Sequence, residues 1–158
     1  MHPGIKEPDL EGPVGDRPVL PHKLVEPLLV YDTLPIGNPF DPAKLKLRDD
    51  IGKAFADGKK YFEQHPEITA AELYRHAQKL AKDYGWEYGG PIAGHLLGQF
   101  PHERIPGDKV TLYVHPDNPN KMRGVDAQGQ ERHWILEIHF VDRERKIGGF
   151  YEELLTVG

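Results

Sequence analysis

The sequence lacks several features that would assign it directly to a class of protein. It has no cysteine in 158 residues, which excludes disulfides, thiolate metal ligands and a cysteine nucleophile. No apolar run approaches the roughly 18 residues that a membrane-spanning helix needs, so we expect no membrane protein. Twenty basic residues against 25 acidic ones leave a net charge of −5, which argues against a nucleic-acid partner. The first residues show no apolar segment after a basic start, and we therefore expect a cytoplasmic protein.

Proline is distributed unevenly and divides the chain in two. Nine of the 15 prolines lie within residues 1–42. Because proline lacks a backbone N–H and fixes φ, this density disfavours both a helix and a central strand. We predict that residues 1–38 form a weakly ordered arm, in which Leu28 to Tyr31 could make a short strand. Residues 39–158 are then the folded domain, which is long enough to bury a core.

The pattern of apolar residues predicts two helices followed by a sheet. An aspartate–proline pair and apolar residues at helical spacing predict a helix over 43–64. A capping box of Thr69 and Glu72 begins a second helix over 70–84. From Gly85 onwards the apolar period changes from 3.6 to 2, which indicates strands and an α+β fold. The candidate strands are 86–89, 92–99, 110–115, 132–141 and 149–157.

The predicted strand over 132–141 is the most informative segment for function. Its side chains alternate between two mainly apolar faces, and Glu137 lies in the middle of one of them. A carboxylate in a strand covered on both faces must be protonated, ion-paired or bound to a metal, because burying an unpaired charge is costly. From this strand alone, a salt bridge to an arginine and a metal ligand both remain open.

Three other segments carry polar side chains that could join this glutamate. His95 is flanked by glycines, and His102 follows seven residues later in a loop between two prolines. The last strand has adjacent carboxylates, Glu152 and Glu153, which must point to opposite faces; spacing does not decide which of them faces a site. Each feature also has an ordinary structural explanation, as a satisfied core histidine, an exposed loop or solvated edge charges.

Together these side chains indicate a metal site. Imidazole nitrogen and carboxylate oxygen without sulfur suit Mn, Co, Fe or Zn, and carboxylates can bridge two such ions. That donor set is typical of hydrolytic two-metal centres.

The order of three motifs resembles the C-terminal half of the M24 metallopeptidases, the family of methionine aminopeptidase, Xaa-Pro aminopeptidase and prolidase. The resemblance covers roughly residues 36–157 and is closest to compact bacterial aminopeptidase-P-like members. It implies the pita-bread fold, a curved, mainly antiparallel sheet flanked by helices, with two metal ions and a peptide substrate. The motifs are Gly94-His-Leu-Leu-Gly-Gln-Phe-Pro-His-Glu103, Trp134-Ile-Leu-Glu-Ile138 and Gly149-Phe-Tyr-Glu-Glu-Leu-Leu-Thr156.

The resemblance assigns a role to each candidate residue. It implies that His95, Glu137 and Glu152 are metal ligands and that Glu137 also accepts a proton during hydrolysis. His102 matches the histidine that contacts substrate and steadies the tetrahedral intermediate. His139 stands on the same face as Glu137, where much of the family has Glu-Pro, and we expect it to contact substrate as well.

The chain departs from the family upstream of the first helix. The family has two aspartate ligands there, and the segment around Asp32 places Leu29 at the second of these positions; neither Asp16 nor Asp32 has the expected spacing. Leucine cannot bind a metal. We expect the fold to be truncated at its N-terminal half, with one cation or none bound and little or no peptide hydrolysis.

Two other functions remain as alternatives. A pita-bread cavity without its metals could act as a non-catalytic peptide- or protein-binding module. A cupin-like mononuclear site could instead use His133, His139 and Glu144.

An exposed sheet edge in half a fold would favour a homodimer.

Overall fold

The fold is built from two helices and an antiparallel sheet of five strands. A computed structural model describes residues 29–32, 41–97 and 109–156. This confirms the α+β class. The elements, in chain order, are β1 (Leu29–Asp32), α1 (Pro42–Gln64), α2 (Ala70–Asp83), β2 (Glu87–Tyr88), β3 (Gly94–Leu96), β4 (Trp134–Asp142) and β5 (Ile147–Leu154), with one turn of 3-10 helix at Val110–Leu112.

The helix boundaries follow from the capping residues. The Asp41 carboxylate accepts a hydrogen bond from the Ala43 N–H at 2.8 Å, and Pro42 occupies the first helical position. At the second helix the Thr69 N–H donates to Glu72 at 2.8 Å, and the Glu72 N–H donates to the Thr69 hydroxyl at 3.2 Å. Both predicted helices are confirmed to within one residue at each end.

The strand β4 is central in the sheet and pairs with three other strands. Its strand order is β1-β5-β4-β2, and β3 also pairs with β4; every pairing is antiparallel. The short strand predicted at residues 28–31 is found at 29–32, paired with β5. The described part of the chain pairs no further strand with β1, and the homodimer remains a prediction.

Both helices pack on one face of the sheet. The alternation of β4 turns Trp134, Leu136, Ile138 and Phe140 to this face, and all four are buried. The helix α1 approaches it closely, since a Cβ built on Gly149 would lie 2.3 Å from Ile51 Cδ1. The intervening residues of β4, including Glu137 and His139, therefore belong to the opposite face.

A four-residue turn at 143–146 joins β4 to β5 and fixes their register. The last pair of the ladder is Asp142 with Ile147, and the Arg145 N–H donates to Asp142 Oδ1 at 2.9 Å. Lys146 closes the turn with a φ of 56°, a left-handed conformation that non-glycine residues seldom adopt. From this turn the pairs run in order along both strands and bring Glu137 opposite Glu152.

The strand predicted over 110–115 is wrong for its first half. Residues 110–112 form a 3-10 turn, closed by hydrogen bonds from Leu112 N–H to Lys109 O and from Tyr113 N–H to Val110 O. These local bonds use backbone groups that a strand would have to pair with a neighbour. Only at Tyr113 and Val114 does the chain reach the edge of β3, through single ladder bonds.

The other predicted strands are found, with shorter or shifted bounds. The strand over 86–89 consists of two residues, and the one over 92–99 of Gly94 to Leu96, with its last two positions outside the described residues.

The described helices include none that is both long enough and sufficiently apolar to span a bilayer.

Asp50 is a buried charge that ties α1 to the segment leading into the sheet. It is 8% exposed, and its carboxylate accepts a hydrogen bond from Trp86 Nε1 at 2.9 Å and another from Lys46. Burial by itself would raise the pKa of Asp50, but the hydrogen bonds from Lys46 and Trp86 outweigh it and hold the pKa below 3.8. The ionised form is therefore part of the folded state.

We expect Asp50→Asn to lower the free energy of unfolding at pH 7 by about 1–3 kcal/mol, because the Lys46 contact loses its charge. A depressed folded pKa gives stability that is present above the unfolded pKa and lost as pH falls through the folded one. The difference from wild type, measured by urea denaturation, should therefore shrink between pH 7 and pH 3. Asp49→Asn is the control, since Asp49 is exposed and pairs with its neighbour Arg48. An equal difference at both pH values would contradict the assignment.

Candidate metal centre

Three neighbouring strands bring one histidine and two glutamates together. His95 lies on β3, Glu137 on β4 and Glu152 on β5, and one ligand atom from each lies within 4.8 Å of the other two. Among the described residues, this is the one cluster of three or more potential ligands close enough together to hold a metal ion. The three ligands expected from the sequence thus converge, although they are far apart in the chain.

The two glutamates face each other across the sheet. Glu137 and Glu152 are direct partners in the β4–β5 ladder, and each is 7% exposed. Opposed side chains in an antiparallel pair have Cβ atoms about 4.5–5.5 Å apart, and like charges so placed destabilise each other. Because both carboxylates are also shielded from water, a cation or a proton between them would relieve the repulsion.

The choice between Glu152 and Glu153, which spacing left open, follows from the pairing. Glu153 is opposite Leu136, on the face that the helices cover, and it accepts a hydrogen bond from the Tyr151 hydroxyl at 2.6 Å. Burial, followed by this contact, raises the pKa of Tyr151 to about 12. Glu152 is the one of the two that faces Glu137.

The imidazole of His95 turns its two nitrogens to different neighbours. Its Nδ1 lies 3.2 Å from the Leu96 carbonyl oxygen, and since a carbonyl can only accept, Nδ1 carries the proton in this contact. In the neutral ring Nε2 is then an acceptor, and it lies 3.7 Å from Glu137 Oε1. Two acceptor atoms that face each other at this distance leave room for a cation and form no hydrogen bond of their own.

Gly94 allows β3 to approach β4 closely enough for this arrangement. Its φ is +141°, and a Cβ built on it would lie 1.9 Å from the Ile135 carbonyl oxygen. Both the backbone conformation and the space therefore require glycine. The glycine before His95 has a structural role that the sequence indicated only as permissive.

Glu137 accepts hydrogen bonds at both its side chain and its backbone carbonyl. Its Oε2 accepts a hydrogen bond from His139 Nε2 at 2.8 Å. The Tyr88 hydroxyl donates to the Glu137 carbonyl oxygen at 2.9 Å, and burial raises the pKa of Tyr88 well above 10, so this donor stays protonated. In 41–97 and 109–156 the titratable side chains that approach the Glu137 carboxylate are His95 and His139, and the arginine left open by the sequence is not among them.

Other predicted site residues are not part of this group. His102 lies outside the described residues, and its role stays a prediction. Of the cupin-like set, His133 Nδ1 lies 3.0 Å from the Thr156 hydroxyl and Glu144 is in the exposed β4–β5 turn, so neither joins the metal-binding group. Leu29 is in β1 with its Cα opposite Phe150.

The sequence reasoning missed the contribution of the segment before β3. Tyr88 bonds to the backbone of both Ile92 and Glu137, and Gly90 lies against the ring of His139. The Gly89-Gly90 pair directly after a predicted strand was the available signal, because such a pair often marks close backbone approach.

Comparison with models of protein families, with curated proteins and with solved structures gives no match to this chain. The resemblance to the M24 metallopeptidases therefore stays a prediction that rests on the motifs quoted above.

We expect Gly94→Ala to destabilise the protein by about 1–3 kcal/mol, through strain at positive φ and the clash with Ile135. Gly52→Ala is the matched control, because a Cβ there meets no atom within 4 Å on an exposed part of α1 and should add about 0.5–1 kcal/mol. Urea denaturation of both variants measures the difference. A Gly94 variant as stable as wild type would show that β3 does not approach β4 in this way.

Proposed function

We propose that the chain is a metal-dependent hydrolase of the aminopeptidase type, with an M24-like pita-bread fold and one divalent cation at His95, Glu137 and Glu152. The observation that carries the proposal is the convergence of these three acceptors, two of them buried carboxylates in direct opposition. Substrates would be short peptides cleaved after their N-terminal residue, including Xaa-Pro peptides.

The chemistry of the three side chains fits such a cation. One imidazole nitrogen and two carboxylate oxygens suit Mn, Co, Zn or Fe. Ligand atoms about 2.0–2.2 Å from a zinc ion in a tetrahedral site are roughly 3.3–3.6 Å from each other. A spread of up to 4.8 Å would close to these distances if the ends of the side chains moved by roughly an ångström. Three protein ligands also leave coordination positions for water and substrate, as in catalytic zinc sites.

A bound cation would lower the pKa of a water molecule and polarise the peptide carbonyl. The chain's own groups would do the rest. By the resemblance, Glu137 would also accept the proton that this water loses. His95, with its proton held at Nδ1 by the Leu96 carbonyl, offers Nε2 as a ligand. The buried side chains of Ile135 and Leu154 limit access of other water to the ligands.

Turnover is expected to be weak. The described residues provide three ligands, and Leu29, at the position expected for an aspartate, adds no oxygen. A second cation would lack most of its coordination, and with it one of the two charges that stabilise the transition state in two-metal sites.

Leu29, in place of an aspartate ligand, favours a second candidate function: a cation-binding module that recognises peptides and does not cleave them. The same three ligands would hold the cation, which would bind a peptide terminus or carbonyl without hydrolysis.

The proposed site predicts binding of one equivalent of Co²⁺ or Mn²⁺ per chain. His95→Ala should weaken binding more than about 100-fold, since changes beyond the ligands already cost 10- to 100-fold. His133→Ala should leave binding unchanged, because His133 bonds to Thr156 away from the site. Isothermal titration and metal content by mass spectrometry measure both. Equal loss in the two variants, or no binding by wild type, would refute the site.

Catalysis is tested separately with a chromogenic Xaa-Pro peptide in the presence of Mn²⁺. We expect slow hydrolysis that requires the cation and disappears in Glu137→Gln. Peptide binding that persists while no product forms would favour the non-catalytic module. Hydrolysis that continues in Glu137→Gln would contradict the role of this residue.

A further inference from the structure

The two oxygens of the Glu137 carboxylate have different neighbours. Oε1 lies 3.7 Å from Nε2 of His95, one of the other two proposed ligands. Oε2 lies 2.8 Å from His139 Nε2. Since a carboxylate oxygen accepts, His139 Nε2 carries the proton and donates it in a charge-assisted hydrogen bond. One oxygen of the ligand is thus held by a side chain while the other is directed to the site.

His139 is itself held by its neighbours. Its ring packs against that of Phe150, its cross-strand partner, with centroids 4.7 Å apart, and it forms an edge-to-face pair with the Tyr88 ring, with centroids 6.0 Å apart. On the remaining side a Cβ on Gly90 would lie 2.9 Å from His139 Cδ2, so the ring occupies space that only glycine leaves open. The side chain is 23% exposed.

The backbone of β4 is fixed by the same segment. The Gly89 N–H donates to the His139 carbonyl oxygen at 2.9 Å, and the Tyr88 hydroxyl donates to the Glu137 carbonyl oxygen. Residues 88–90 therefore hold the main chain of both Glu137 and His139 as well as the imidazole ring. The hydrogen bond between the two side chains is part of a tightly packed unit.

We infer that His139 is a positioning residue that makes Glu137 a monodentate metal ligand. This inference rests on the proposed metal site. With Oε2 engaged by His139 Nε2, Oε1 alone is presented to the cation, and the second coordination position that a bidentate carboxylate would fill stays available to water or substrate. Such partners of ligating carboxylates orient the ligand without touching the metal. His139 then acts through Glu137, whereas the sequence placed it against the substrate.

The test uses Co²⁺, whose visible absorption reports coordination number and geometry. His139→Leu removes the donor, and we expect a 10- to 100-fold loss of Co²⁺ affinity with a changed absorption spectrum as Glu137 becomes free to bind through both oxygens. His139→Gln places an amide N–H near the position of Nε2 and should recover most of the affinity and the wild-type spectrum. His133→Leu, on the residue before the same strand, should change neither.

Each result separates the inference from the proposed function. If wild type and His139→Leu bind Co²⁺ equally well with the same spectrum, His139 does not position Glu137, and the metal site itself stands. If His139→Gln is as impaired as His139→Leu, ring packing and not the hydrogen bond matters, which also overturns the inference. If wild type binds no Co²⁺, the proposed function fails and the inference with it. Thermal unfolding of every variant verifies folding; should His139→Leu not fold, His139→Gln against His133→Leu decides.

Discussion

The opposition of Glu137 and Glu152 is the constraint on which the rest of the structure depends. Two carboxylates that share a register pair and are both shielded from water repel each other unless a positive charge or a proton comes between them. A sheet that served only to bury a core would place apolar residues at these two positions. The acceptor nitrogen of His95 on the adjacent strand adds a third group of the same electrostatic character. A cation bound among the three groups, as proposed above, would offset their mutual repulsion.

The two faces of the sheet separate stability from chemistry. The helices cover one face, where the alternate residues of β4 form the core, and the charged buried group on that side, Asp50, is fully engaged by Lys46 and Trp86. The ligands use the other face. Because successive side chains of a strand point to opposite sides, β4 contributes to both without compromise between them. The central strand therefore carries the core and the site in a single stretch of sequence.

The helices could be predicted from the sequence, and so could the residues that the sheet brings together, because their determinants are local or chemically distinctive. Caps and apolar spacing place α1 and α2, and a lone glutamate in an apolar strand identifies Glu137. Register is different: nothing local decides between Glu152 and Glu153, and only the strand pairing shows that Glu152 is the one opposite Glu137. The segment 110–112 was misread since β-forming residues there satisfy their backbone with local hydrogen bonds. The role of Tyr88 and Gly90 depends on packing between distant segments, which no local pattern reveals.

The turn at 143–146 has a consequence for how this site can change. It is exposed and contains none of the ligands, yet it sets the register that brings Glu137 opposite Glu152. Side chains alternate along a strand, so deleting one residue there, with the turn length kept, would bring Glu153 opposite Glu137 and turn Glu152 towards the helices, whereas inserting one would bring Tyr151 opposite Glu137. The proposed ligands lie on the strands, whereas the residues that set their alignment lie in the turn at 143–146. A length change in this solvent-exposed turn would move Glu152 away from Glu137 and His95, although all three residues remained in the sequence.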